Sequence, residues 1–285
     1  MTTAPLYQLS PSKLGTWLDC PRRFMLQYVE RQRGAGAWAH LSMGNAIHAT
    51  LRAWFDEPES PRTRARLDTV IRSSWQSTGF RDDAQSAQWR DAAGAMVWAY
   101  LRGLEPGFRP HSLERSLGAR TAGLVLNGRI DRLDEQGPST AAGGVGAPLT
   151  VVDYKTGKRV PTHDDVRGSF ALAIYAVCVQ QTLRRPCTRV ALHHVPSGVR
   201  VEHEYTEGTL ERQIHRVEQI SAEMQEAQAR LASGGDPDEL FAPQPGPLCS
   251  WCDVRDLCPV GAEQGPKRAP WAGLPHAEES LDGPG

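Results

Sequence analysis

The spacing of apolar residues changes near His111, and no fold with a single layer type accommodates the change. Upstream, residues 43–57, 61–78 and 84–104 carry apolar side chains at intervals of three and four, as in "AIHATLRAWF" and "AAGAMVWAYLRGL", which predicts helices. Downstream, "HSLERSLGAR", "GLVLNGRIDRLDE" and "TVVDYKT" alternate apolar and polar residues, which predicts a meander of about three strands. A Gly-, Pro- and Ala-rich loop over 137–149 separates the last two. A buried helix is expected over 165–183, then strands "RVALHHV" and "VRVEHEY" joined by Pro-Ser-Gly, then a polar helix over 207–232. Near the start, Ser10 is a plausible N-cap with Pro11 at the first helical position, and the helix is expected to break near Pro21. The fold class is therefore α/β (α+β), with a mixed sheet flanked by helices. The chain divides into a helical section over 1–110, a core over 111–206, a C-terminal helix and cysteine cluster over 207–260, and a disordered tail over 261–285, rich in Gly, Pro and charge.

The 285 residues suffice for one large domain or two small ones. A formal net charge of -1 supplies no global basic field, so any nucleic-acid contact has to come from a local patch. The N-terminus has no charged region followed by an apolar core, and "FALAIYAVCV" is too short to cross a bilayer. A cytoplasmic protein without a membrane partner is expected. In that compartment thiols stay reduced, so the 6 cysteines are expected to be metal ligands or core residues.

The stretch "VVDYKTGK" sets Asp153 and Lys155 on one side of a strand, with Val152 and Tyr154 on the other. Arginine is the default cation of this chain, so lysine at Lys155 and Lys158 points to a need for a compact ammonium. In "NGRIDRLD", Arg129 and Asp131 share a face, and a neighbouring strand can carry Asp131 beside Asp153. Glu114 lies on a third strand, and His48 on an apolar helix in "GNAIH". Each has a plainer explanation alone: a core histidine, or a charge on a solvated strand face. Together, carboxylates converging with an imidazole make an oxygen-rich site for Mg²⁺ or Mn²⁺. A lysine beside it can orient a water or stabilise charge on a phosphate, which suits phosphodiester hydrolysis.

Cys249, Cys252 and Cys258 follow C-x2-C-x5-C spacing, and Cys20 in "DCPRRF" can supply a fourth thiolate from the other end of the chain. Zinc or a 4Fe-4S cluster would accept that set. Cys178 and Cys187 stand apart and read as core or surface residues. Arg22, Arg23 and Phe24, near Trp17 and Tyr28, combine cations with flat rings, the combination that binds single-stranded DNA. Trp54, Trp75, Trp89 and Trp98 occur at helical spacing and are expected in the core.

From "LSPSKLGTWLDCPRRF" to "CSWCDVRDLCP" the sequence resembles the RecB-family exonucleases of the PD-(D/E)XK superfamily. The resemblance implies a restriction-endonuclease-like core, with His48, Asp131 and Asp153 as metal ligands, Lys155 as catalytic lysine and Glu114 as the acidic residue of the first core strand. It also favours iron-sulfur over zinc for the four cysteines, as a staple joining the N- and C-terminal segments. The family's Q-x-x-x-Y motif is met by Tyr175 but has Ala171 at the glutamine position, which removes a polar contact to the lysine or DNA. The implied function is a metal-dependent DNA exonuclease acting on single-stranded or frayed ends in repair or recombination. Two alternatives are a non-catalytic DNA-end-binding module that works with a helicase partner, and a zinc-stapled structural protein. No G-x-x-x-x-G-K-[ST] occurs, so the chain is not itself a helicase motor.

Overall fold

A computed structural model describes residues 6–32, 34, 36–57, 61–137 and 146–274. Strand β1 (Tyr7–Leu9) leads into α1 (Pro11–Asp19), where the Ser10 hydroxyl caps the first turn by accepting from the Lys13 N–H. Pro21 restricts the residue before it to extended backbone, so Cys20 leaves the helix and α2 (Pro21–Phe24) restarts it, running into a π turn over Met25–Val29. Three helices follow, α3 (Ala39–Asp56), α4 (Arg64–Ser74) and α5 (Asp83–Arg102), where the spacing predicts them. Strands β2 (Ser112–Arg120), β3 (Leu124–Glu135) and β4 (Leu149–Lys155) form the expected meander. Most of the loop between β3 and β4 lies outside the described residues.

The single helix expected over 165–183 is two. Gly168 ends α6 (His163–Arg167), and Ser169 starts α7 (Phe170–Leu183) by accepting from the Leu172 N–H. Apolar spacing ran on across a cap that only the serine marks. Strands β5 (Arg189–His194) and β6 (Arg200–Glu204) precede α8 (Glu207–Ala232), α9 (Pro237–Leu240), two 3₁₀ turns at Pro247–Trp251 and Arg255–Leu257, and α10 (Pro259–Glu263).

The six-stranded sheet runs β1-β3-β4-β5-β6, with β2 along the other edge of β3. It is mixed: β1 is parallel to β3 and β4 to β5, while β2, β4 and β6 pair antiparallel with β3, β3 and β5. Alternation sorts the central strands between two layers. Val151, Val190 and Leu192 face a core built with α7 and α8, and Val152, Tyr154 and Ala191 face one built with α3, α4 and α5. Burial on both faces explains why adjacent residues Val151 and Val152 of β4 are both apolar.

Of the disordered tail expected over 261–285, residues 261–274 are ordered and residues 275–285 lie outside the described residues. The chain turns back after α10, the Ala39 N–H donates to the Pro270 carbonyl, and Leu274 is buried in the core of α3 to α5, where its carbonyl accepts from Gln85. Composition concealed this because one buried leucine and hydrogen bonds to two carbonyls suffice to anchor a Pro-rich strap. Among the described residues no helix is long and apolar enough to cross a membrane.

Candidate metal centre

Three strands bring three carboxylates abreast. In the β2–β3 register Leu113 pairs with Arg132 and Arg115 with Ile130, so Glu114 lies opposite Asp131. In the β3–β4 register Arg132 pairs with Val152, so the next position out sets Asp131 against Asp153. The ladder is interrupted there. Glu114 has φ +46°, a left-handed conformation that costs a non-glycine residue about 1–3 kcal/mol. The strands also change phase at this point: Ile130 packs in the α7 core, while Arg132, two residues on, points to Tyr100 and Tyr154 on the opposite side. Asp131 takes up the freed backbone donor, its Oδ2 accepting from the Tyr154 N–H at 2.8 Å.

His48 comes from α3. Its Nδ1 lies 3.2 Å from Asp131 Oδ1, and one ligand atom from each of His48, Glu114 and Asp131 fits within 4.8 Å of the others. The approach of α3 depends on Gly44, one turn earlier, since a Cβ there would lie 2.9 Å from Thr156 Oγ1 at the end of β4. The glycine in "GNAIH" is thus a packing requirement for the histidine four residues later. Sequence reading named the histidine but not this cause.

Asp153 and Lys155 project to the same side, as alternation predicts, and Lys155 Nζ lies 2.6 Å from Asp153 Oδ2. That oxygen is buried and makes no aligned hydrogen bond, so the ammonium is what compensates it. Asp153 stands beside the compact group of His48, Glu114 and Asp131 rather than within it. Lys155 is itself half-exposed. The turn after it is pinned to β5, because the buried His194 ring donates from Nε2 to the Gly157 carbonyl at 2.7 Å.

The electrostatics follow from crowding anions in a partly dry site. Burial raises the pKa of Glu114 and neighbouring Asp131 raises it further, against the Arg129 guanidinium 2.6 Å away. Burial likewise raises Asp153, opposed by Lys155 and reinforced by Asp131. For His48, burial lowers the pKa, but hydrogen bonding to Asp131 and the charges of Asp131, Asp153 and Glu114 outweigh it, and the net shift is upward. A centre where three acids and a histidine settle one another's charge is one that a divalent cation fits. Imidazole nitrogen with carboxylate oxygens suits Mn²⁺ or Mg²⁺.

Tyr175 on α7 packs against Gly128 of β3, where a Cβ would lie 2.4 Å from the ring. Burial first, then Asp153, Asp131 and Glu114, raise its hydroxyl pKa, which places the ring close to the same carboxylates. A cleft of about 1160 Å³ opens over the group, bordered by Arg52, Arg129 and Lys158 as well as His48, Glu114 and Asp131.

Cys20, Cys249, Cys252 and Cys258 line a second, small cavity. The Gln244 N–H lies 3.5 Å from Cys20 Sγ and the Gly261 N–H 3.3 Å from Cys258 Sγ. Two of these sulfurs thus receive backbone N–H groups, but among the described residues the four do not form a ligand group as compact as that of His48, Glu114 and Asp131. Cys178 and Cys187 are fully buried in the core.

The surface expected of Arg22, Arg23 and Phe24 needs correction. Phe24 is 1 % exposed and packs between Trp17 and Tyr28, so it offers no face to a base. Arg22 bonds Asp238 and the Phe241 carbonyl, and Arg23 lies 3.6 Å from Asp253. These arginines tie the α2 segment to the C-terminal elements. Trp54 is buried as expected, and Trp75, Trp89 and Trp98 pack partly buried around the same core.

No curated protein matches the chain. A solved structure that matches is a crystal structure from Eubacterium rectale named "Putative exonuclease", at 11% sequence identity and a TM-score of 0.45, covering 88% of this chain and 88% of that one. The family model described as PD-(D/E)XK nuclease superfamily matches residues 8–259. On that match, which takes in β2 to β6 and the carboxylates of the site, the chain belongs to the PD-(D/E)XK nuclease superfamily.

Proposed function

We propose that the protein is a metal-dependent exonuclease that hydrolyses phosphodiester bonds at single-stranded or frayed DNA ends, in repair or recombination. The observation that carries the reading is the meeting of Glu114, Asp131 and Asp153 from adjacent strands with His48, beside a Lys155 that pairs with Asp153. His48, Asp131 and Glu114 would hold Mg²⁺ or Mn²⁺, with Asp153, the third ligand that the sequence suggests, next to them. When bound, the ion supplies a water of lowered pKa and neutralises charge on the phosphate. The chain does the rest. Tyr154 N–H fixes the Asp131 carboxylate, Arg129 restrains Glu114, and the half-exposed Lys155 ammonium can orient the attacking water or bind the anionic phosphorane-like transition state. Tyr175 borders the carboxylates from α7, and Ala171 leaves the polar contact one turn earlier unfilled.

For the four cysteines the reading is a 4Fe-4S cluster that staples the segment after α1 to the C-terminal turns, with zinc as the other occupant. A brown protein containing iron and sulfide supports the cluster; a colourless protein with one zinc per chain selects zinc. Action from an end is tested by offering linear and covalently closed single-stranded DNA with Mn²⁺. Loss of the linear substrate alone supports an exonuclease, and equal loss of both makes the enzyme an endonuclease.

The non-catalytic alternative, a DNA-end-binding partner of a helicase, draws on Ala171 alone. It leaves unexplained why a lysine should compensate a buried carboxylate beside two others.

A further inference from the structure

Trp251 stands between Cys249 and Cys252 in "CSWC", in the 3₁₀ turn Pro247–Trp251, yet it lines the same cleft as His48, Glu114 and Asp131. The cysteine segment therefore reaches from its own cavity to the wall of the candidate metal centre. Its ring is set on a platform. Trp38 lies 5.3 Å from it between centroids, His40 meets it edge-on at 5.7 Å, and the Arg268 guanidinium lies 5.9 Å above it. The platform is itself fixed, since Trp38 is buried and its indole N–H donates to Asp253 Oδ1 at 2.6 Å. Asp253 follows Cys252 directly, so the residues that hold the thiols also hold the ring.

The rest of the cleft completes a pattern. Arg52 and Arg129 act on the charge of Glu114 and border the cleft with Lys158, while His40 and Trp251 supply flat rings elsewhere on its wall. Cations for phosphates beside rings for bases are what an unpaired strand needs, whereas a duplex keeps its base faces covered. A rigid aromatic at a cleft wall also loses little side-chain freedom when a base stacks on it.

We propose that Trp251, flanked by His40, is a base-stacking subsite for a single strand lying in the cleft, and that the cysteine-held segment sets which nucleotide reaches the metal centre. The subsite rests on the nuclease reading. It differs from the surface expected at Arg22, Arg23 and Phe24, and it gives the cysteine segment a role in substrate binding as well as in closing the fold.

The test measures binding of end-labelled oligodeoxynucleotides to the full-length, anaerobically purified protein without divalent metal, so no cleavage intervenes. One oligonucleotide is intact, and the others each carry one abasic site at successive positions. In wild type an abasic site at one position, or two adjacent ones, should weaken binding about ten-fold. Trp251→Ala should weaken the intact oligonucleotide by about the same factor and abolish the positional sensitivity, while Trp251→Phe keeps it. If Trp251→Ala does not fold, Trp251→Leu against Trp251→Phe makes the same comparison. Equal binding of all abasic oligonucleotides by wild type, or an abasic profile unchanged in Trp251→Ala, overturns the subsite while leaving the nuclease reading in place. No binding of any oligonucleotide by wild type overturns both.

Discussion

Glu114 is held at φ +46° directly across from Asp131, so both its backbone and its charge are uncomfortable without a cation. Glu114→Gly should therefore stabilise the metal-free protein by about 1 kcal/mol in chelator, while weakening Mn²⁺ binding at least ten-fold by calorimetry. A loss of stability would show that the residue is not strained. Gly128→Ala asks the converse question, because a methyl there would lie 2.4 Å from the Tyr175 ring. Displacing that ring should cost about 1–3 kcal/mol in denaturant unfolding. At this scale the grouping of His48, Glu114 and Asp131 and the pairing of Lys155 with Asp153 were legible, since those residue types stand out in the sequence itself. Gly44, Gly128 and the backbone N–H of Tyr154 were not, because each acts through a contact with an element far along the chain.

Helix α3 and strand β4 meet at Gly44 and Thr156, and His48 reaches Asp131 only from that distance. Gly44→Ala should leave helix content by circular dichroism unchanged but push α3 outward and lower Mn²⁺ affinity about ten-fold. Behind the site the elements are joined by a buried polar network. Arg132, 1 % exposed, donates to the Tyr100 and Tyr154 hydroxyls, and Tyr100, having accepted, donates to His193 Nδ1 at 2.7 Å. Burial, then Arg132 and Arg200, push His193 down to about 2 from an ordinary 6.5, so it stays neutral in the fold. The unfolded chain therefore takes up this proton first as pH falls. The contribution is complete above about pH 6.5 and is lost progressively below it, by up to about 1.4 kcal/mol per pH unit. Between pH 6 and 5 wild type should lose stability more steeply than His193→Gln, and identical slopes would contradict the burial of a neutral imidazole. Element positions were readable from periodicity, as α3, α5, β3 and α8 show. The break between α6 and α7 and the phase change of β2 and β3 were not, because a cap and a single left-handed residue leave the apolar pattern intact.

Across the whole molecule, Cys20 from the early part of the chain and Cys249, Cys252 and Cys258 from the late part line one cavity. C-x2-C-x5-C spacing with a remote cysteine made this shared lining legible in the sequence. The return of the chain to bury Leu274 was hidden by composition, and the basic pair at Arg22 and Arg23 proved to serve internal ion pairs. The central claim is that this architecture cuts phosphodiester bonds at the end of β4. Its most direct test is degradation of end-labelled single-stranded DNA with Mn²⁺ by anaerobically purified wild type and Lys155→Ala, with binding of the same DNA measured in parallel. Loss of substrate with wild type, at least a hundred-fold slower loss with Lys155→Ala and equal binding by both is the predicted result. Binding without degradation by wild type, or equal degradation by both proteins, would contradict it.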